Sequence, residues 1–176
     1  PTRLAFLGAG FKRAIMTAAV DIPGAKKAQS GRLVRGSGER IPLYGVPKLL
    51  MSVTRSADMN RTPDVRTRAI LPQWAVLLDV HFAMPMLREE AVLNLLAAGG
   101  VLSGVGDWRV EKGSGDYGAF RLASANDDEL QTILKNGGRV AQMEAMNNPV
   151  CYDDETESLL SWWTSEVAER GFRVAV

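Results

Sequence analysis

Short apolar runs alternate with glycine- and proline-rich stretches along the 176-residue chain, and their periodicities predict a mixture of strands and helices. Leu4 to Leu7 has strand length and leads through Gly8 and Gly10 into a helical pattern with Phe11, Ile15 and Ala18 on one face. Ala75 to Phe82 reads as a buried strand. A helix over Leu87 to Ala98 follows Pro85, with Val92, Leu95 and Leu96 as its stripe, Glu89 and Glu90 in its first turn, and Gly99 and Gly100 as its stop. A strand is expected at Ala119 to Leu122. A short helix capped by Asn126 or Asp127 then runs to Lys135 and ends at Gly137 and Gly138. Leu159, Trp163 and Val167 line a last helix closed by Gly171, before a final strand at Phe172 to Val176.

Residues 21 to 72 differ in character. They are rich in Pro, Gly, Ser and Arg, with β-prone pieces at Ile41–Tyr44 and Leu49–Thr54, and they read as an inserted basic arm or long hairpin. The pattern as a whole predicts one α+β domain over 1–176, with 21–72 as the arm and 123–176 as a C-terminal helical extension.

Composition narrows the classes. At 46% apolar residues the chain can bury a core, and its single cysteine, Cys151, excludes an internal disulfide and a multi-cysteine zinc site. No stretch approaches the ~18 apolar residues of a membrane span, so no membrane is expected and a cytoplasmic location, in a bacterium or a phage-infected host cell, is. The net charge of +1 hides an asymmetry: residues 1–68 hold 13 basic against 4 acidic residues, the remainder 8 against 16. This divide suggests a polyanion for the basic half; the alternatives are mixing of the two halves on the folded surface, or head-to-tail association of subunits.

Three groups of residues carry candidate chemistry. Lys12 and Arg13 are expected in the first turn of the early helix, where two glycines and free amides suit a phosphate, unless both side chains simply reach water. Arg61, Arg66 and Arg68 are expected to face solvent on the arm. The third group is the loop GVGDWRVEKGSGDYG, in which Gly104, Gly106, Gly113, Gly115 and Gly118 alternate with Trp108, Arg109 and Lys112. Glycines let backbone amides approach phosphate, rings stack on bases and cations follow the strand; alternatively, Lys112–Asp116 is a hairpin turn and Trp108 a core residue. The loop is neither a phosphate-binding Walker loop nor a dinucleotide fingerprint, and no cofactor is expected.

The loop, of form GxGxxRxxxGxGxxG between a helix and a strand, resembles the C-terminal signature of the RAMP superfamily, ferredoxin-like CRISPR effector-backbone and guide-processing proteins. LAFLGAGFKRAIMTAA is similar to that family's early helix, and VGDWRVEKGSGDYGAFRL to prophage-encoded proteins bearing a GxWRPEKGGxxG motif. The resemblance implies a ferredoxin-like (RRM-like) antiparallel sheet with helices on one face. It also implies binding of RNA or single-stranded DNA, often by repeated subunits of a homo-oligomer or larger nucleoprotein complex. On it, Lys12, Arg13 and the loop glycines are binding elements.

No catalytic constellation is evident. His81, the one histidine, sits in an apolar strand and reads as half-buried; Cys151 has no histidine beside it in sequence. Asp153, Asp154, Glu155 and Glu157 read as an acidic first turn of the last helix rather than a metal site. Trp162 and Trp163 read as core or interface residues. The expected function is non-enzymatic binding of single-stranded nucleic acid. The rivals are a phage assembly or decoy protein that docks onto a partner complex and, more remotely, a metal-independent endoribonuclease.

Overall fold

The computed structural model describes residues 1–36, 38–55, 61–112 and 115–171. Its elements are β1 (Ala5–Leu7), α1 (Gly8–Ala18), α2 (Lys27–Leu33), β2 (Val34–Gly36), β3 (Arg40–Pro42), β4 (Lys48–Arg55), β5 (Pro63–Ile70), β6 (Val80–Phe82), α3 (Glu89–Leu102), α4 (Asp128–Asn136), α5 (Arg139–Asn147) and α6 (Asp154–Glu169). The protein is therefore α+β, with six helices among the described residues. Its strands pair two by two, β1 with β3, β2 with β6 and β4 with β5, rather than in the single sheet the resemblance implied. The chain divides into two compact units. Pro1–Arg3, Tyr44–Trp74 and Ile133–Val176 form a hairpin unit; Leu4–Leu43 and Ala75–Thr132 form a glycine-loop unit.

In the glycine-loop unit, Ile15, Ala19, Val34, Val92, Leu95 and Leu96 make the buried core, with Val80, Phe82 and Phe120 packed on it. Burying each large aliphatic side chain contributes roughly 1.5–3 kcal/mol. Phe11 meets Phe6 and Phe120 edge-on, at centroid distances of 5.6 and 5.5 Å. Gly99 and Gly100 do not stop α3, as expected, but lie inside it. A Cβ on Gly99 would stand 3.1 Å from the Ala14 carbonyl carbon of α1, and one on Gly100 would overlap the Phe120 carbonyl oxygen. The glycines thus permit close packing, and α3 ends instead at Gly104, whose left-handed φ of 68° lets its N–H donate to the Gly99 carbonyl.

The hairpin unit is built on β4 and β5, paired antiparallel from Lys48↔Ile70 to Arg55↔Pro63. The other edge of β4 is also occupied: Leu49 N–H donates to the Val150 carbonyl, Tyr152 N–H to the Leu49 carbonyl, and Met51 N–H to Thr156 Oγ1. Asp153 caps α6 by accepting from Thr156 N–H at 2.8 Å, and Asp154, Glu155 and Glu157 fill the first turn, as the sequence indicated. Gln142 of α5 is fully buried. Its Oε1 accepts from Arg3 N–H at 2.7 Å, and its Nε2 donates to the Gly45 and Gly137 carbonyls, both at 3.0 Å. Gly45 N–H donates to the Gly137 carbonyl, so the two backbones cross where no Cβ fits.

Other expectations need correction. The segment 21–72 is not one insertion: α2, β2 and β3 belong to the glycine-loop unit, and only the β4–β5 hairpin stands in the other. Of Ala75–Phe82, three residues form a strand, because β6 has only the short β2 to pair with. Ala119–Leu122 is no strand: Phe120 N–H donates to Gly100 at the end of α3. Helix α5 was not anticipated. The expected strand Phe172–Val176 lies outside the described residues.

Candidate nucleic-acid interface

The glycine loop is closed on itself by backbone hydrogen bonds. Val105 N–H donates to the Gly118 carbonyl (2.9 Å), Tyr117 N–H to Trp108 (3.1 Å) and Glu111 N–H to Ser103 (3.2 Å). Closure explains most of its glycines. A Cβ on Gly118 (φ 74°) would overlap the Val105 carbonyl oxygen, one on Gly115 that of Trp108, and one on Gly104 would stand 3.0 Å from the Gly118 carbonyl. These positions admit the loop's own backbone, which accounts for glycine there without a ligand. Gly106, with φ 90° and open space around its Cβ position, faces no such constraint. Gly113 lies outside the described residues.

The rings stand out from this closed frame. Trp108 is 48% exposed and Tyr117 39%, so Trp108 is no core residue. Their planes are parallel to within 6°, with centroids 6.4 Å apart. Trp108 holds a left-handed φ of 52°, a conformation costing a non-glycine residue about 1–2 kcal/mol. Non-glycine residues kept in such conformations cluster at ligand clamps and active sites.

Arg109 does not reach outward as expected. Its Nε donates to Glu111 Oε2 at 2.8 Å and its Nη1 to the Gly106 carbonyl, with the side chain mostly buried. The pairing makes Arg109 a brace of the loop, and Glu111 also accepts from Thr17 Oγ1 of α1. Lys112 ends the 3-10 turn Val110–Lys112. Arg121 bridges Asp127 and Glu129, with contacts of 2.7 Å to each. This guanidinium, together with the Leu130 N–H that Asp127 accepts as cap of α4, pulls the Asp127 carboxyl down to about 2. The Thr156 hydroxyl and N–H likewise hold Asp153 below the usual carboxylate range.

Lys12 and Arg13 fall in the second turn of α1, not the first, because the helix begins at Gly8. Its first N–H already donates to the Glu39 carbonyl, and a Cβ on Gly8 would sit 2.6 Å from the Gly38 carbonyl. The chain entering β3 therefore fills the proposed phosphate position. Lys12 is half-buried and Arg13 exposed.

On the hairpin, antiparallel register places Lys48, Ser52, Thr54, Asp64, Arg66 and Arg68 on one face. Arg66 pairs with Asp64 at 2.9 Å, with both side chains more than half exposed. Arg68 is partly buried, its Nη1 donating to Ser52 Oγ at 3.4 Å, and Arg61 is exposed with φ 43°. Lys48 was missed from sequence; its alternate-residue spacing across the hairpin was the available signal. The candidate residues therefore divide between units, the three arginines in one and the α1 pair and loop in the other.

Charge balances within each unit. The hairpin unit holds ten basic and nine acidic residues and the glycine-loop unit eleven of each, so the divide along the sequence is not a divide of the structure. His81 is exposed, opposite Arg35 in the β2–β6 pair, not half-buried: Phe82 and Val34 take the inner face. Among the described residues no group of three or more His, Cys, Asp or Glu could hold a metal, and no helix is long and apolar enough to cross a membrane. No family model, no curated protein and no solved structure matches the chain.

Proposed function

We propose that this protein binds single-stranded nucleic acid, RNA or DNA, without cleaving it. The observation that carries the reading is the Trp108–Tyr117 pair: two parallel, half-exposed rings on a hydrogen-bonded frame, one of them held at a backbone cost. A base stacked on such a surface contributes about 1–3 kcal/mol. In the other unit, Lys48, Arg66 and Arg68 share one face of the hairpin and make a separate basic surface suited to phosphate. Kinship with the RAMP superfamily and its repeated subunits along a strand belong to the same proposal and rest on the loop spacing alone, since the strands pair two by two.

Anisotropy of labelled RNA and DNA oligonucleotides tests it. Trp108→Ala should weaken binding by about tenfold or more while melting is unchanged, and affinity should fall with salt at a log–log slope near −0.7 per phosphate contact. Absence of wild-type binding at low salt, or affinity indifferent to salt, refutes it. A second reading, docking onto a partner protein, is favoured by the half-exposed Trp162 and Trp163 of α6 and by Val140, Met143 and Met146 exposed on α5.

A further inference from the structure

Among the described residues, β5 has one occupied edge. It pairs with β4 over its eight residues, and among the described residues no strand lies on its outer side. An open edge of this length is a template for another strand unless charge or proline guards it. Pro63 guards only the first position, and the charges that follow are of both signs, Asp64 against Arg66 and Arg68, all on one face. Asp64 and Arg66 are more than half exposed and already approach to 2.9 Å within the strand, while Arg68 is partly buried.

We propose that this edge joins a second copy of the chain by antiparallel β5–β5 pairing centred on Val65. Charge selects the register. Centred on Val65, Asp64 stands opposite Arg66 of the partner subunit and Arg66 opposite Asp64 of the partner subunit, giving four alternating charges on one face. Centring on Arg66 sets that arginine against its own copy, and centring on Thr67 sets Arg66 against Arg68 of the partner subunit; like charges directly opposite are destabilising. The Val65 register brings no like charges together. The product is a four-stranded sheet in which the faces bearing Lys48, Arg66 and Arg68 lie side by side. The pairing is independent of whether nucleic acid binds there.

Sedimentation velocity on nuclease-treated, nucleic-acid-free protein tests the pairing across a wide concentration range. Wild type should shift from 19.1 kDa to twice that mass. D64R and R66D should each raise the dimer dissociation constant by about tenfold or more, and the double variant D64R/R66D should restore dimerisation. At concentrations where every chain is monomeric, all three should melt as wild type does, because both side chains are exposed. A wild type that stays monomeric, single variants that dimerise unchanged, or a double variant that fails to recover would each overturn it.

Discussion

Replacing Gln142 by Ala should destabilise the protein out of proportion to the size of the change. The side chain is fully buried and ties three separated stretches together: Arg3 at the N-terminus, Gly45 before the hairpin and Gly137 after α4. Its loss leaves the Arg3 N–H and the Gly45 carbonyl without that partner. The Gly137 carbonyl keeps its bond from Gly45 N–H. An orphaned buried group costs about 1–3 kcal/mol, and the void adds to this, so the total is about 2–5 kcal/mol. That is a large share of a typical folding free energy of about 5–15 kcal/mol. Two further substitutions separate the causes. Gln142→Leu fills the void but satisfies nothing, so it should recover only the packing part. Gln142→Glu places a carboxylate against two carbonyl oxygens at neutral pH and should be the worst of the three, recovering on acidification as the carboxyl takes up a proton. Urea unfolding followed by circular dichroism and tryptophan fluorescence reads all of them. Gln131→Ala is the control, since that exposed side chain donates only to the Ala125 carbonyl and should change stability by about 0.5 kcal/mol or less. If Gln142→Ala also falls within that margin, the junction is not the structural tie inferred here.

Trp108→Gly should hold or raise the melting temperature, because glycine relieves the left-handed φ of 52°, while removing stacking; a marked fall in stability would return Trp108 to the core. Gly118→Ala should destabilise far more than Gly106→Ala in thermal melts, since only the former adds a collision with the Val105 carbonyl to the cost of a positive φ; equal effects would contradict the closed loop. The Asp127 carboxyl, lowered to about 2 by Arg121 and Leu130 N–H, stabilises the start of α4 above the unfolded carboxylate value of about 3.9 and loses that contribution as pH falls toward 2. A carboxyl titration by NMR should show this midpoint, and Arg121→Ala should raise it; a midpoint near 4 in wild type would remove the bridge.

Much of the helical skeleton was legible in the chain. The Phe11–Ile15–Ala18 face, the Val92–Leu95–Leu96 stripe and the acidic start of α6 are local patterns, and local patterns survive folding because neighbours in sequence set them. The glycines misled for the opposite reason. Gly99, Gly100, Gly115 and Gly118 looked like breaks or ligand cradles, yet each marks a place where another stretch of backbone, in the same loop or farther along the chain, comes too close for a Cβ. A sequence marks where a side chain is missing without marking what occupies the space.

The site divides along the same line. Exposed cations on a hairpin and rings in a glycine loop were properties of composition and spacing, determined before any fold was known. Which of them point outward was a tertiary matter. Arg109 is consumed by Glu111 and the Gly106 carbonyl, Trp108 is left half in water, and the basic and acidic halves of the chain are mixed within each unit. Gln142 is the plainest case: a single polar residue in an unremarkable helix gave no local signal, because its meaning lies in Arg3, Gly45 and Gly137. Periodicity records what each segment does with its own neighbours, whereas burial and pairing depend on segments that only the folded chain brings together.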